Sequence, residues 1–281
     1  MAEISWMKRL DPYLRLEAQA GFWTFVRVVA LKLMSRLPGY SRTPLAEIRL
    51  KYLNHPVRLR LSTSDWAVLD KVLLLKEYAE TPDTHAALLR RCYDRYLEQG
   101  RTPVIVDCGA NIGLSAVWYA QRFPRAKVIA LEPVPANFNL LTQNVAPYQN
   151  VVPARAAVSG RKQVLRLKND DVHQAPDSWR TTANGSGEVV EVMTIADAAE
   201  SVVGGVLFIV KVDIEGHEHE LFSQSTQWIA NTPLIAVELH DWLMPWAGSG
   251  HAVLRGLSQS GERDYIQRGE NILSYARNLL V

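Results

Sequence analysis

Apolar residues fall into short runs bounded by turn residues, and the order of those runs predicts the fold. Val104 to Val106, Val128 to Leu131, Val151 to Val158, Val206 to Val212 and Leu234 to Val237 each read as a strand. Such runs, without polar alternation, suit strands buried on both faces. Between the first three, residues 114–122 and 135–144 carry helical spacing. Strand alternating with helix implies an α/β fold, Rossmann-like, with a mostly parallel, doubly wound sheet covered by helices. Ligands on such sheets sit outside the strand C-termini, where the strand order reverses.

The first hundred residues differ. Residues 4–37 read as one or two helices in which Trp6, Phe22, Trp23, Phe25, Val26, Val29 and Leu33 mix with Lys8, Arg9, Arg15, Arg27, Lys32 and Arg36. Pro38 and Gly39 end them. Between Ile48 and Leu61, Arg49, Lys51, Arg58 and Arg60 among apolar neighbours predict a hairpin turning at 54–56. Ser64 then stands as the N-cap of a helix running to Tyr78, with Asp65 in its first turn. The expected organisation is a helical extension over 1–45, a lead-in hairpin and helix over 46–100, and a ligand-binding catalytic domain over 101–281. Residues 170–187 are polar, with Trp179 and Arg180 embedded, and read as a surface loop; substrate lid and plain connection are both open.

Chemistry concentrates after the first buried strand. Asp107, Cys108, Gly109, Ala110, Asn111, Ile112 and Gly113 allow a tight turn into a helix, and Glu132 follows about 20 residues on, where a carboxylate can accept both hydroxyls of an adenosine ribose. A dinucleotide loop reads GxGxxG and presents amide donors to a pyrophosphate. Here an acid closes the strand instead, which disfavours a pyrophosphate and suits the cationic groups of S-adenosylmethionine. Asn111, Pro133 and Asn137 complete the expected cofactor set. Further strands end in Asp213, followed by Glu215, and in Glu238 and His240. Histidine titrates near neutrality, so His240 is the leading candidate for the base that takes an acceptor proton, with Asp213 second and Glu238 beside them. The same donors have the mix that binds a divalent cation, but their spacing is unspecific, and no metal site is assigned. Residues 217–220 (HEHE) are expected to be an exposed helix start.

These blocks resemble the FkbM-type S-adenosylmethionine-dependent methyltransferases, which methylate hydroxyl oxygens on sugars and natural products. The resemblance rests on VDCGANIG at 106–113, EPVPANFNLLTQNV at 132–145, IVKVDIEGHEHELF at 209–222 and IAVELHDWL at 235–243. It implies an O-methyltransferase whose acceptor is a hydroxyl of a sugar, glycolipid or natural product. It also places the 64–78 element over the active site, so Asp65 and Tyr78 are expected on the substrate side; Trp179 in the polar loop and Glu215 after Asp213 complete that expected set. A scaffold protein retaining the fold and a nicotinamide oxidoreductase are the alternatives; no Tyr and Lys pair supports the latter.

Composition narrows the partners. A net charge of +2 over 281 residues gives no reason to expect nucleic acid. Cys92 and Cys108 alone exclude a disulfide framework and point to a reducing cytoplasm. Arg27 and Lys32 interrupt the longest apolar run, which is too short to span a bilayer. The basic, aromatic first helices leave three possibilities: packing on the catalytic domain, a homodimer contact, or peripheral attachment at the inner membrane surface.

Overall fold

A computed structural model describes residues 2–34, 45–61, 63–169, 179–182 and 187–281. It opens with helices α1 (Ala2–Ala20) and α2 (Phe22–Met34), then strands β1 (Leu45–Ile48) and β2 (Val57–Arg60). These strands pair antiparallel, so the expected hairpin exists, although its first strand begins earlier and 49–56 form the connection. The helix anticipated from Ser64 to Tyr78 is shorter. It is one α-helical stretch, α3 (Asp65–Leu69), running into a π-helical turn at Asp70–Leu74. The wider turn follows α3 directly and ends the helix before Tyr78. Arg15 on α1 clamps Asp70 through two hydrogen bonds of 2.8 and 2.6 Å, and so ties the extension to this turn.

After α4 (Asp83–Glu98) the alternating pattern sets in: β3 (Thr102–Cys108), α5 (Leu114–Arg122), β4 (Lys127–Leu131), α6 (Pro135–Val145) and β5 (Val151–Ala154). The apolar run 151–158 is not one strand. It breaks at Arg155, and β6 (Ala156–Val158) leaves for a side sheet with β7 (Leu165–Asn169), β8 (Trp179–Thr182) and β9 (Val189–Met193), in the order β6-β9-β7-β8. The chain continues through α7 (Ile195–Glu200), β10 (Gly205–Val212), α8 (Glu218–Ser223), α9 (Gln227–Ala230) and β11 (Leu234–Glu238). It closes with α10 (Ser249–Gln259), β12 (Arg263–Arg268), β13 (Asn271–Ala276) and α11 (Arg277–Leu280).

The main sheet runs β12-β13-β11-β10-β3-β4-β5, and only β13 opposes its neighbours. Each face is covered, as the unalternating runs require: in β3, Ile105 belongs to one apolar core and Val104 and Val106 to the other. Strand order reverses between β3 and β10, which pair in parallel with Asp107 opposite Lys211 and Cys108 opposite Val212. That crevice lies where such sheets bind ligands.

Candidate active site

The glycine loop leaves β3 with Gly109 at φ +79° and Gly113 at +87°, and Asn111 also adopts positive φ. A Cβ on Gly109 would lie 1.9 Å from the Asp213 carbonyl oxygen, so only glycine lets the loop pass this close to the end of β10. The amides of Gly109 and Ala110 both donate to Leu131 O, stitching the loop to the end of β4. Glu132 follows directly and is buried. Its Oε2 accepts the Asn111 N–H at 2.9 Å and its Oε1 the Val134 N–H at 2.9 Å; Pro133 between them has no N–H to offer. Burial pushes this carboxyl up to about 7, against the two backbone bonds, Lys211 and a bond from Asn137. Three of its about four acceptor positions are thereby filled and one is left for a ribose hydroxyl, so the acid still fits the nucleoside end of the expected cofactor.

Asn137 connects this acid to the lead-in hairpin. Arg60 donates to Asn137 Oδ1 at 2.7 Å, and grips Asp65 through its backbone N–H and two guanidinium bonds of 2.7–2.9 Å. The Asp65 carboxylate is therefore buried and engaged, and Arg60 links it to Asn137. Tyr78 is buried too, with Lys211 Nζ 5.7 Å from its ring centroid; burial and the nearby acids hold its phenol well above the usual range.

Lys211, which the sequence reading passed over, is the buried cation at the centre. Its ammonium donates to Gly109 O at 2.7 Å and stands 3.3 Å from Asp107 and 3.5 Å from Asp213. Burial would lower its pKa, but the two carboxylates outweigh that and raise it. Asp107 is fully buried, its other oxygen accepting the Ser115 hydroxyl at 2.6 Å. It holds the loop through Lys211 and the first turn of α5 through Ser115. A signal was present in sequence: lysine inside an apolar strand is almost never buried without a paired acid.

His240, just beyond β11, is buried with its Nδ1 2.7 Å from Glu218 Oε1. Its Nε2 faces Asp213 Oδ1 at 3.6 Å and Glu238 Oε1 at 3.7 Å. Glu218 was expected on an exposed helix start, yet it is fully buried in the first turn of α8, drawn in by this histidine. Burial would lower the His240 pKa; Glu218, Asp213 and Glu238 overcome it and hold it at about 9. Glu238 is raised by burial and by Asp213. Asp213, Glu238 and His240 each offer one donor atom within 4.8 Å of the others, a nitrogen and oxygen set compatible with a divalent cation.

Asp107, Glu132, Asp213, Glu238 and His240 thus gather at adjacent strand ends. Glu215 does not join them; it is exposed in the turn before α8, at φ 54°. Trp179 lies in β8 of the side sheet, and most of the 170–187 segment falls outside the described residues.

The known proteins similar to this chain are methyltransferases. Residues 107–263 match the family described as the methyltransferase FkbM domain. The hexuronic acid methyltransferase AglP of Haloferax volcanii is 29% identical over 144 residues, half of this chain and 58% of that protein. The methyltransferase sdnD of Sordaria araneosa is 42% identical over 55 residues, 20% of this chain and 21% of its own length. The chain therefore spans between one fifth and three fifths of these relatives. Among solved structures, a fibrillarin from Aeropyrum pernix with bound S-adenosylmethionine matches at 12% identity and a TM-score of 0.35, over 63% of this chain and 66% of that one. The family match covers more than half of the sequence and every strand end that carries the site, and the protein belongs to the FkbM methyltransferase family.

Proposed function

We propose that the chain transfers a methyl group from S-adenosylmethionine to a hydroxyl oxygen of a sugar, glycolipid or natural product. The bound cofactor supplies a methyl carbon activated by its positive sulfur. The protein's work is to align the acceptor oxygen and receive its proton. Glu132 holds the ribose, the 109–113 loop follows the cofactor backbone, and Lys211 keeps loop and strand ends in register. His240 carries the reading. With Nδ1 anchored on Glu218, its Nε2 is aimed between Asp213 and Glu238, where an acceptor hydroxyl would stand. At pKa about 9 the imidazole must first lose its proton, and a sulfonium nearby assists because it disfavours a second positive charge.

One observation favours a second acceptor. A charged His240 attracts a carboxylate, and AglP is a hexuronic acid methyltransferase. A carboxylate needs no base. Treating the methylated product with dilute alkali separates the two: a methyl ether survives, whereas a methyl ester is cleaved. Calorimetry with S-adenosylmethionine and NAD, on the native chain and on Glu132→Ala, tests the cofactor. Binding of NAD, or equal S-adenosylmethionine affinity in both chains, would defeat the proposal.

A further inference from the structure

Helix α2 is built inside out for a surface helix. Its exposed residues are Phe22, Trp23, Val26, Arg27, Ala30, Leu33 and Met34, while Val28 points into the protein. At 3.6 residues per turn these seven fall within one arc of about 140°, with Arg27 at its edge and Val28 roughly opposite. The surface thus presents an apolar stripe in which Trp23 is 80% and Leu33 59% exposed. Scattered exposed apolar residues are ordinary, but a contiguous rimmed stripe marks a contact surface.

Charge identifies what covers it. Residues 1–43 contain Lys8, Arg9, Arg15, Arg27, Lys32, Arg36 and Arg42 against Glu3, Asp11 and Glu17, a net of +4. The whole chain carries +2, so residues 44–281 carry −2. All net positive charge sits on the segment that bears the stripe. A second copy docked through the same face would bring two such segments together across a two-fold axis, like charge against like. An anionic lipid surface is complementary to both features, since Trp and Phe settle at the headgroup boundary while basic residues meet the phosphates. Among the described residues no helix is long and apolar enough to cross a membrane, so the contact lies along the surface.

We propose that α2 docks the protein on anionic membranes through Phe22, Trp23, Val26, Leu33 and Met34, with Arg27 at the rim. This inference stands apart from the methyl-transfer reading. The test is co-sedimentation of the full chain with vesicles of phosphatidylcholine alone and of phosphatidylcholine mixed with phosphatidylglycerol, at low and high salt. Mixed vesicles should bind it, neutral ones should not, and salt should weaken the binding. Trp23→Glu should reduce the partition coefficient about tenfold or more, and Arg27→Glu should weaken binding to the mixed vesicles and lessen its salt dependence. Light scattering and thermal melting of the same variants show that they stay folded and report their mass. Binding unchanged in Trp23→Glu, or equal binding to neutral vesicles, overturns the proposal. A native dimer that Trp23→Glu converts to monomer, without vesicle binding, assigns the face to a second copy instead.

Discussion

Replacing Lys211 with methionine keeps most of the side-chain length and removes the charge, leaving Asp107 fully buried with only Ser115 to bond it. At an effective dielectric of about 20, unit charges 3.3 Å apart attract by about 5 kcal/mol. Asp213 at 3.5 Å is partly exposed, and water screens that second interaction. Part of the attraction only offsets the cost of burying the ions, but the methionine variant retains the buried carboxylate and loses its counter-charge. The expected destabilisation is therefore about 3–5 kcal/mol, the range for breaking a buried pair by removing one partner. For a chain of this size that lowers Tm by about 10 °C. Scanning calorimetry or denaturant titration measures it. Asp107→Asn in the Lys211→Met background should recover part of the loss, because it removes the orphaned charge; the non-additivity of the cycle isolates the pair. A loss below about 1 kcal/mol, or no recovery in the double variant, would refute the electrostatic account of the strand ends.

If His240 accepts the proton, kcat/KM should rise with pH and level off above about 9, because the free enzyme holds the imidazolium below that value. A profile flat from pH 6 to 10 would remove His240 as the base. The same raised pKa makes His240 a stabilising group whose contribution is complete below its unfolded value of 6.5 and is lost as pH climbs through about 9. His240→Gln should consequently flatten the fall in stability across that window, read from denaturant midpoints. Gly109→Ala should abolish cofactor binding through its clash with the Asp213 carbonyl, and titration calorimetry with normal affinity would contradict the loop geometry. Arg60→Met, which frees Asp65 and Asn137, should weaken S-adenosylmethionine binding several-fold and lower Tm, and an unchanged affinity would disconnect the hairpin from the site.

Much of the fold was legible because buried parallel strands write themselves as unbroken apolar runs. Asp107, Glu132, Asp213 and Glu238 all stand where those runs stop, at or just past the ends of β3, β4, β10 and β11. The C-terminal pair β12 and β13 was not legible: RDYIQR, on the sheet's edge, is mostly polar, and NILSYA, interior and buried, interrupts its apolar residues with Asn271 and Ser274. The break at Arg155 was hidden because the flanking residues are apolar on both sides. Within the site, Glu218 looked like an exposed acid of a helix start. Its burial depends on His240, 22 residues further along the chain, and local periodicity does not carry that pairing. Asp65 was placed on the substrate side by the family resemblance, and its engagement by Arg60 of the preceding hairpin is a pairing that local periodicity does not carry.

The pairing of β3 with β10 also has a kinetic side. Gly109 and Lys211 are 102 residues apart in the chain. At about 5–20 residues per second, synthesis delivers the lysine some 5–20 s after the loop it must join. Through that interval Asp107 is an acid amid apolar strand residues, and the sheet's two halves have no reason to close around it. Closure of the non-local central pair is then a late, slow event of folding, as high contact order requires. The ability to hold a ligand would appear with that event, so ligand capture during refolding reports the joining of the two halves.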